Sequence, residues 1–537
     1  MGSYHSQGMF SGKTNTEHEI YNTLHANLHD QNKLIFAGNL LKRAYKKFPN
    51  KEALISPERN VTYKELFFRS LLLGKKLTAA GITPRSKVVL YYENSPEFYV
   101  AYFAIWQIGA VVVPTNIFFH EKEIIHVIND AQPSLIIASP LLYQNIENAL
   151  KNPSITHIPI LWGQEAFDWQ TALPLDDDEI FNTPIYELNQ DELCALLYTS
   201  GTTGTPKGVM LSSKNIMTNA MQGYARFTMC GMEAHERFFC VLPLFHVFAQ
   251  NTCLWLPIMI GASIIIVSKI DRKLILDGLA LRPTLFFGFP ALYGLLCLMR
   301  KAPLDSIKIF ISGADMLPDK IRLGFALIYG RKICSGYGLS EASPVISVNP
   351  DNQHSPTNVV GKPLVGITCE IRNDEGKALE HNSVGNLWVK GDNIMMGYYN
   401  APETTEQILV DGWLNTGDRA MVDAQGKLAI CGRSKDIIIH KGFNIYPAEI
   451  ENILMQHPSI TKAAVIGQDE ALTGQIPVAF VAARRIDANL EKELKTLCTN
   501  NLAAYKIPRK FVCLEDLPLN ATGKVDKKRL THMHTQS

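Results

Sequence analysis

The sequence of 537 residues predicts an α/β protein with a large N-terminal domain of doubly wound α/β layers. Over about the first 350 residues, short apolar runs alternate with helical patterns, as in parallel sheets covered by helices. Between about Gly361 and Gly432, short strands and turns predict a small β-barrel-like subdomain. After Asp436, strands and helices predict a small, mobile α+β C-terminal domain.

The first βαβ unit is a clear local pattern. Val88–Tyr92 is an apolar strand, and Ser95-Pro96-Glu97 starts a helix because serine caps helices and proline suits their first turn. That helix ends near Ile108, and Ala110–Pro114 is the next strand. The alternation also predicts helices at 40–48, 63–77 and 121–129, and a strand at 135–138.

A second alternation follows Ala262, after a helix that begins at Ser213. It predicts strands at 263–267, 284–289, 307–311 and 331–335, and helices at 272–281, 290–300 and 318–329. Further along, it predicts strands at 368–372 and 385–389, a hairpin at 424–426, strands at 437–440, 463–466 and 478–482, and helices at 447–455 and 490–502.

Composition excludes several classes of protein. Lysine plus arginine, 52 residues, balance aspartate plus glutamate, 51 residues, so there is no overall charge for binding nucleic acid. Ten cysteines occur singly, which predicts reduced thiols and a cytoplasmic protein. The longest nearly apolar run, Cys253–Val267, is too short for a transmembrane segment, while peripheral membrane contact stays open.

The stretch Tyr198–Val209 is the strongest candidate for binding phosphate. Its glycines let backbone N–H groups approach an anion, and its threonines and serine supply hydroxyl donors. The residues concerned are Thr199, Ser200, Gly201, Thr202, Thr203, Gly204, Thr205 and Gly208. Pro206 and Gly208 exclude the phosphate loop of P-loop NTPases. A glycine- and threonine-rich surface turn is the alternative.

The stretch Gly336-Tyr337-Gly338-Leu339-Ser340-Glu341 is a second candidate, at the end of the strand predicted at 331–335. Tyr337 can stack on a base, and Ser340 can bind phosphate. Glu341 can hold a Mg²⁺ ion that bridges phosphate oxygens. A tight turn with an exposed acid is the alternative.

Three further motifs carry charge beside glycine turns. Asn415-Thr416-Gly417-Asp418 places a carboxylate where it can accept hydrogen bonds from a ribose diol. Gly432-Arg433-Ser434-Lys435-Asp436 and Lys441-Gly442-Phe443-Asn444 surround a domain boundary. Thr522-Gly523-Lys524 places a lysine on a turn, although a solvated basic tail explains it equally well.

Together, these motifs resemble those of the adenylate-forming superfamily, which includes acyl-CoA synthetases, nonribosomal adenylation domains and firefly luciferase. The resemblance spans roughly residues 34–530, with the motifs in the order of the superfamily. It implies that a carboxylate attacks the α-phosphate of Mg-ATP to give acyl-AMP and pyrophosphate, and that a thiol then takes the acyl group. ATP, Mg²⁺ and CoA are the implied cofactors, with a carboxylic acid as substrate.

The resemblance also implies roles for individual residues. The loop from Thr199 to Lys207 would hold the β- and γ-phosphates, and Glu341 would bind Mg²⁺. Tyr337 would cover the adenine, Gly336, Gly338 and Ser340 of the same motif would also bind the nucleotide, and Asp418 and Arg433 would bind the ribose. Lys524 would bridge the carboxylate and the α-phosphate. Lys435 would be the hinge about which the Lys441-Gly442-Phe443 loop turns to the thiol channel.

The resemblance divides the chain into a flexible extension (1–33), an adenylation domain (34–433) and a C-terminal lid domain (434–537) with its hinge near Lys435. It also implies that His246, in Leu242-Pro243-Leu244-Phe245-His246-Val247-Phe248, lies beside the carboxylate, although a packed structural histidine is the alternative. No acid follows Phe245 to hold an α-ammonium, so a medium- or long-chain fatty acid is expected rather than an amino acid.

Two points stay open in this interpretation. Gly313-Ala314-Asp315 resembles the adenine-side stretch of the superfamily, except that Asp315 replaces a small or apolar residue. Asp315 either contacts the base or caps the following helix. The acceptor is either CoA or the phosphopantetheine of an acyl carrier protein, since both present the same thiol arm. A catalytically silent nucleotide-binding protein is a third possibility.

Overall fold

A computed structural model describes residues 16–28, 37–155, 158–173, 183–199, 206–233, 235–350, 358–440, 443–470, 474–483, 489–520 and 524–535. The helices are α1 (Glu17–Leu28), α2 (Leu40–Lys47), α3 (Tyr63–Ala79), α4 (Pro96–Gln107), α5 (Glu121–Ala131), α6 (Tyr143–Leu150), α7 (Gly163–Ala166), α8 (Ser213–Met229), α9 (Val247–Gln250), α10 (Leu256–Ile260), α11 (Arg272–Ala280), α12 (Pro290–Met299), α13 (Asp319–Tyr329), α14 (Pro402–Ile408), α15 (Pro447–Met455), α16 (Leu490–Asn501) and α17 (Lys527–Thr535).

The strands are β1 (Glu52–Ile55), β2 (Asn60–Thr62), β3 (Lys87–Tyr91), β4 (Val111–Pro114), β5 (Leu135–Ala138), β6 (Ile160–Trp162), β7 (Leu193–Thr199), β8 (Lys207–Ser212), β9 (Arg237–Cys240), β10 (Ser263–Ile266), β11 (Leu285–Gly288), β12 (Ile309–Ser312), β13 (Cys334–Gly338), β14 (Val345–Asn349), β15 (Val359–Gly361), β16 (Thr368–Arg372), β17 (Gly385–Lys390), β18 (Gly397–Tyr398), β19 (Leu409–Val410), β20 (Trp413–Val422), β21 (Leu428–Arg433), β22 (Ile438–His440), β23 (Phe443–Ile445), β24 (Ile460–Glu470), β25 (Gly474–Ala483) and β26 (Lys510–Leu514).

Two large, mostly parallel sheets form the main body of the protein. One has the strand order β14-β13-β12-β11-β9-β10-β1-β2, and only its edge strands β14 and β2 run antiparallel to their neighbours. The other has the order β18-β8-β7-β4-β3-β5-β6, in which β8 runs antiparallel to β7, and β18 runs antiparallel to β8. These sheets confirm the predicted α/β fold.

The largest hydrophobic core joins these two sheets. Helix α4 is buried along almost its whole length, which explains why its sequence PEFYVAYFAIWQ has no polar face. Trp106 of α4 stacks on Trp255, and its indole N–H donates to the carbonyl of Cys194 at 2.9 Å, so the core holds the ring without an unpaired donor. The shared core fixes the position of one sheet relative to the other.

Two smaller sheets complete the fold. The predicted hairpin through Gly426 joins β20 to β21 in an antiparallel sheet of order β15-β21-β20-β17-β16. The C-terminal region has the order β23-β22-β25-β24, with β26 beside β25, and α15 and α16 pack on its hydrophobic core. These sheets agree with the predicted barrel-like subdomain and α+β module.

The predicted loose extension at residues 1–33 is wrong for residues 17–28, which form α1. Ile20 of this helix is buried against α8, and Glu17 pairs with Arg226 at 2.8 Å. Arg226 also donates to the carbonyl oxygens of Val348 and Pro363, so one side chain connects α1 with two other segments. The polar composition of this region concealed a helix whose order depends on a few tertiary contacts.

Other segments also differ from the prediction. The sequence predicts a strand at 331–335, whereas β13 begins at Cys334 and continues to Gly338. The strand extends further because Tyr337 pairs with Ser347 of β14. The apolar run from Cys253 lies in a π-helical turn (Asn251–Trp255), α10 and β10. In the described part of the chain, no helix is both long enough and apolar enough to cross a membrane.

Candidate active site

The candidate site lies at the carboxyl ends of parallel strands in the first sheet. His246 follows β9, Gly313 follows β12, and Tyr337 lies near the end of β13. Because these strands run parallel, their carboxyl ends share one edge of the sheet, where α/β proteins bind ligands. The structure therefore brings together three motifs that are far apart in the sequence.

A hydrogen-bonded cluster connects Tyr337 with the hairpin β20–β21. The Tyr337 hydroxyl donates to Asp418 Oδ2 at 2.5 Å, and Arg433 Nε donates to Asp418 Oδ1 at 2.8 Å. Asp418 and Arg433 lie directly opposite each other in the antiparallel register, so the hairpin itself makes this pair. An aromatic ring, a carboxylate and a guanidinium thus meet where a nucleoside could bind.

Opposing effects of burial and of neighbouring charges set the pKa values in this cluster. Burial raises the pKa of Asp418, while Arg433, the Tyr337 hydroxyl and Lys524 lower it, and the net pKa lies above the ordinary value. Burial also raises the pKa of Tyr337, and the neighbouring Asp418 carboxylate raises it further. Tyr337 is therefore a neutral hydrogen-bond donor at physiological pH.

Glu341 lies beside a residue that the sequence analysis did not identify. The hydroxyl of Tyr398 donates to Glu341 Oε1 at 2.6 Å, and Lys207 Nζ lies 5.3 Å from the centre of the Tyr398 ring. Tyr398 reaches this position because the short strand β18 pairs with β8, opposite Val209. The only sequence signal was the pair Tyr398-Tyr399 after Gly397. That pair predicts no contact with Glu341 unless the strand pairing is known.

Buried asparagines hold the turn at residues 340–345, which carries Glu341. Asn219, Asn251 and Asn393 are fully buried. Asn219 binds both backbone polar groups of Val345, at 2.7 and 2.9 Å, and Asn251 and Asn393 donate to carbonyl oxygens of the turn at 3.2 and 2.8 Å. Asn219 uses both its amide oxygen and its amide nitrogen, whereas the side-chain oxygens of Asn251 and Asn393 accept no hydrogen bond within the described residues. These buried amide hydrogen bonds hold the backbone of the turn that carries Glu341.

Close approach requires glycine at position 338 and leaves little room for a side chain at Gly313. A Cβ atom at Gly338 would lie 2.1 Å from the carbonyl oxygen of Pro344, and one at Gly313 would lie 3.1 Å from the Phe248 ring. Ala314 has a left-handed backbone, with φ of 67°. Asp315 does not cap α13, because Pro318 is the residue before that helix; its carboxylate instead accepts from the N–H of Met316 at 2.8 Å.

His246 precedes α9 and lies against Phe245, with ring centres 4.5 Å apart. Burial, and secondarily the charge of Lys524, lowers the pKa of His246 to about 4. The charge of Lys524 also lowers the pKa of Asp418, so both groups lie within reach of its charge. A narrow turn positions Lys524, because its N–H donates to Asn520 Oδ1 and its carbonyl accepts from the N–H of Asn520.

The remaining candidates divide between described and undescribed residues. Thr199 and Lys207 pair across β7 and β8, so the two ends of the candidate phosphate loop are adjacent. Ser200, Gly201, Thr202, Thr203, Gly204, Lys441 and Gly442 lie outside the described residues. Gly336 lies in β13, Ser340 in the following single turn, Lys435 in the turn Ser434–Asp436, and Phe443 begins β23.

Apolar and aromatic residues that could line an acyl pocket are mostly part of the core. The side chains of Leu254, Trp255, Phe286, Phe287 and Tyr293 are fully buried. Tyr293 is held by a hydrogen bond to the carbonyl of Ile311, and Phe286 stacks on Phe239. Core packing therefore accounts for these five side chains, whereas Phe289 is partly buried against the core.

Comparison with known protein families gives a match over both parts of the chain. Residues 41–399 match the family described as AMP-binding enzyme, and residues 449–524 match the AMP-binding enzyme C-terminal domain. The chain belongs to the AMP-binding enzyme family. The long-chain-fatty-acid–CoA ligase of Bacillus subtilis (strain 168) is 31% identical over 534 residues, covering 93% of this chain and 94% of that protein.

Solved structures of similar proteins agree with this assignment. An anthranilate CoA ligase in complex with anthranoyl-AMP superposes with a TM-score of 0.83 at 26% identity, covering 93% of this chain and 97% of the other. The o-succinylbenzoate CoA synthetase of Bacillus subtilis, in complex with ATP and magnesium ion, gives a TM-score of 0.80 at 26% identity, covering 92% and 99%. The predicted class, an ATP-dependent, AMP-forming acyl-CoA synthetase, is confirmed, and its cofactors are ATP, Mg²⁺ and CoA.

The residues at the site fit an AMP-binding enzyme that takes Mg²⁺ together with ATP. Among the described residues, no group of three or more His, Cys, Asp or Glu side chains is arranged to hold a metal ion. Mg²⁺ is commonly held by one or two carboxylates together with substrate phosphates. Glu341 is the candidate for such a carboxylate; it accepts a hydrogen bond from Tyr398, whose ring lies 5.3 Å from Lys207 Nζ at the end of the candidate phosphate loop.

The contact between Tyr398 and Glu341 gives a testable prediction. Replacing Tyr398 with phenylalanine should raise the Mg²⁺ concentration for half-maximal pyrophosphate release by about tenfold, because loss of a residue that orients a metal ligand weakens metal binding. Tyr399→Phe is the matched control, since its hydroxyl accepts from Lys87 Nζ at 2.9 Å. An equal shift in both variants would contradict a special role for Tyr398.

The low pKa of His246 gives a second prediction. We expect its imidazole to be neutral above about pH 5, and Lys524→Ala should raise its pKa because a nearby positive charge is removed. Between pH 6.5 and 4 the unfolded chain binds the proton more strongly, so His246 lowers stability as the pH falls through this window. NMR titration, with His246→Asn to assign the signal, measures the pKa; an unchanged pKa in Lys524→Ala would contradict the contact.

Proposed function

We propose that this chain joins a medium- or long-chain fatty acid to CoA. In the first step the carboxylate oxygen attacks the α-phosphate of Mg-ATP, forming acyl-AMP and breaking the bond to pyrophosphate, which leaves. In the second step the CoA thiol attacks the acyl carbon, AMP leaves, and the thiol proton passes to solvent. The observation that carries the proposal is the buried Asp418 carboxylate bound by the Tyr337 hydroxyl and Arg433, at the sheet edge where His246 also lies.

Each cluster has a proposed task in the first step. Tyr337 covers the adenine, and Asp418 and Arg433 bind the ribose hydroxyls. Glu341 is the protein ligand of Mg²⁺, and the loop between Thr199 and Lys207 holds the outgoing phosphates. Lys524 lies between two anions, the carboxylate and the α-phosphate, and stabilises the charge that develops as they react.

His246 is proposed to lie beside the carboxylate as a neutral ring. Because the pKa of His246 is about 4, the ring adds no positive charge to that of Lys524 at physiological pH. A neutral imidazole can donate one hydrogen bond to the carboxylate and orient it. The neighbouring rings of Phe245 and Phe248 favour an acid with an apolar tail.

The second step requires a different arrangement of the same domains. We propose that residues 434–537 rotate about a hinge near Lys435 relative to residues 34–433, removing Lys524 and bringing the Lys441-Gly442-Phe443 loop to the thiol channel. Contacts between the two parts in the present orientation belong to the first step, because Lys524 faces the site. The hinge turn Ser434–Asp436 is exposed, which suits a change of backbone angles.

A panel of acids tests the substrate class. Pyrophosphate release is measured with fatty, aryl and amino acids, with and without CoA, and we expect release with fatty acids of medium or long chains and thioester formation only with CoA. The 31% identity to a long-chain-fatty-acid–CoA ligase supports this outcome, and the structural similarity to an anthranilate ligase makes the aryl acids the essential comparison. Release with amino acids alone would overturn the proposal.

The same panel separates the remaining alternatives. Fatty-acid activation with no CoA thioester would favour an acyl carrier protein as the acceptor. Absence of pyrophosphate release with every acid would favour a catalytically silent nucleotide-binding protein. The presence of both Lys524 and Glu341 argues against that last function.

A further inference from the structure

The segment Asp315–Lys320 touches the C-terminal domain, and we name it the docking segment. The ammonium group of Lys320 donates to three backbone carbonyl oxygens of one turn in that domain. These belong to His457 at 3.1 Å, Pro458 at 3.3 Å and Ile460 at 3.1 Å. A lysine ammonium carries three donors, so the turn matches its hydrogen-bonding geometry.

A further contact connects the docking segment with the C-terminal domain. The side-chain amide of Asn452 donates to the sulfur of Met316 at 3.2 Å. The charge of Asp315 also raises the pKa of Lys527, after the larger effects of Glu451 and Asp436, which act against burial.

The docking segment directly follows the Gly313-Ala314 stretch of the candidate nucleotide site. In the orientation that makes these contacts, Lys524 also faces His246 and Asp418. The contacts of Lys320 and the approach of Lys524 therefore occur together. Any rotation that withdraws Lys524 would have to break the hydrogen bonds of Lys320.

We propose that Lys320 is a positioning residue that holds the C-terminal domain in the orientation for acyl-AMP formation, with the Asn452–Met316 hydrogen bond as a second contact. This inference rests on the proposed function, because it assigns that orientation to the first step. Hydrogen bonds that Lys320 makes in this orientation favour it over others by their free energy. Its loss shifts the population toward orientations in which Lys524 is absent from the site.

The test compares the two half-reactions in Lys320→Met. We expect acyl-AMP formation, measured by ATP–pyrophosphate exchange, to fall by about tenfold, the size expected for loss of hydrogen bonds to one charged group. Thioester formation from supplied acyl-AMP should be unchanged or faster. Lys320→Arg should restore part of the first activity.

The control is Lys332→Met, which removes an exposed lysine just beyond the other end of α13. Hydrogen–deuterium exchange supplies a readout that needs no substrate: backbone amides in the turn from Gln456 to Ile460 should exchange faster in Lys320→Met than in the wild type or the control. A melting temperature close to that of the wild type would show that the variant is folded.

Three outcomes would overturn the role of Lys320. These are an equal fall in both half-reactions, no change in either, and unchanged exchange in the turn. Failure of the proposed function looks different, because the wild type itself would then lack fatty-acid-dependent pyrophosphate exchange. In that case the exchange experiment still decides whether Lys320 holds the C-terminal domain.

Discussion

Replacing Lys524 with alanine is expected to abolish acyl-AMP formation while sparing thioester formation from supplied acyl-AMP. The substitution removes the positive charge that faces His246 and Asp418, where two anions must approach each other. Groups that stabilise charge developing in a transition state commonly contribute about 10²–10³ in rate, so fatty-acid-dependent pyrophosphate exchange should fall at least that far. The second step should stay within about twofold of the wild type, because Lys524 has left the site by then.

Lys528→Ala is the matched control for this prediction. Lys528 lies four residues after Lys524, is exposed, and is the second residue of α17, which begins at Lys527. Its removal changes the net charge by the same amount without altering the turn at Asn520. An equal loss of both half-reactions in Lys524→Ala would contradict the assignment, since it would indicate damage to the whole site.

Replacing Asp418 with alanine is expected to raise the KM for ATP by about 10²-fold. The carboxylate is buried, accepts from Tyr337 and Arg433, and is the proposed acceptor for ribose hydroxyls. Hydrogen bonds to a charged group contribute about 1.5–3 kcal/mol each, and two are lost with the ribose. Steady-state kinetics with varied ATP, and calorimetry of AMP binding, measure the effect.

Two further variants make the Asp418 result specific. Arg433→Met should weaken AMP binding less, because Arg433 is about half exposed while the Asp418 carboxylate is almost fully buried. Glu406→Ala removes an exposed carboxylate from α14 and should leave the KM for ATP unchanged. Unchanged AMP affinity in Asp418→Ala would contradict ribose binding by this residue.

The sequence predicted most elements whose apolar residues form short continuous runs. Val88–Tyr92 and Leu135–Ala138 are examples, because a strand covered on both faces needs no alternation and is bounded by turns. The sequence did not predict β8, because Lys207 and Gly208 belong to a glycine-rich stretch. That segment nevertheless pairs along its whole length with β7. The sequence also did not predict α1, whose order comes from contacts with Arg226 rather than from its own pattern.

The candidate site shows a similar division. Motif spacing singled out Tyr337, Asp418 and Arg433 separately, and the hairpin register, which the sequence did not predict, sets the last two opposite each other. Tyr398 and the buried amides of Asn219, Asn251 and Asn393 could not be found in this way. Their partners lie about 50 to 130 residues away, and only the tertiary fold brings them to Glu341.

The contacts of Lys527 have a consequence for the timing of the proposed rotation. Lys527 lies three residues after Lys524, and its ammonium binds Glu451 at 2.7 Å and lies 3.8 Å from Asp436 in the hinge turn. Because Lys527, Glu451 and Asp436 all belong to residues 434–537, these ion pairs join the segment that carries Lys524 to the C-terminal side of the hinge as one unit. In the proposed rotation the two would move together, so Lys524 would withdraw as the rotation begins, before the thiol could arrive. The acyl-AMP would then meet the second substrate only after the group that made it had withdrawn.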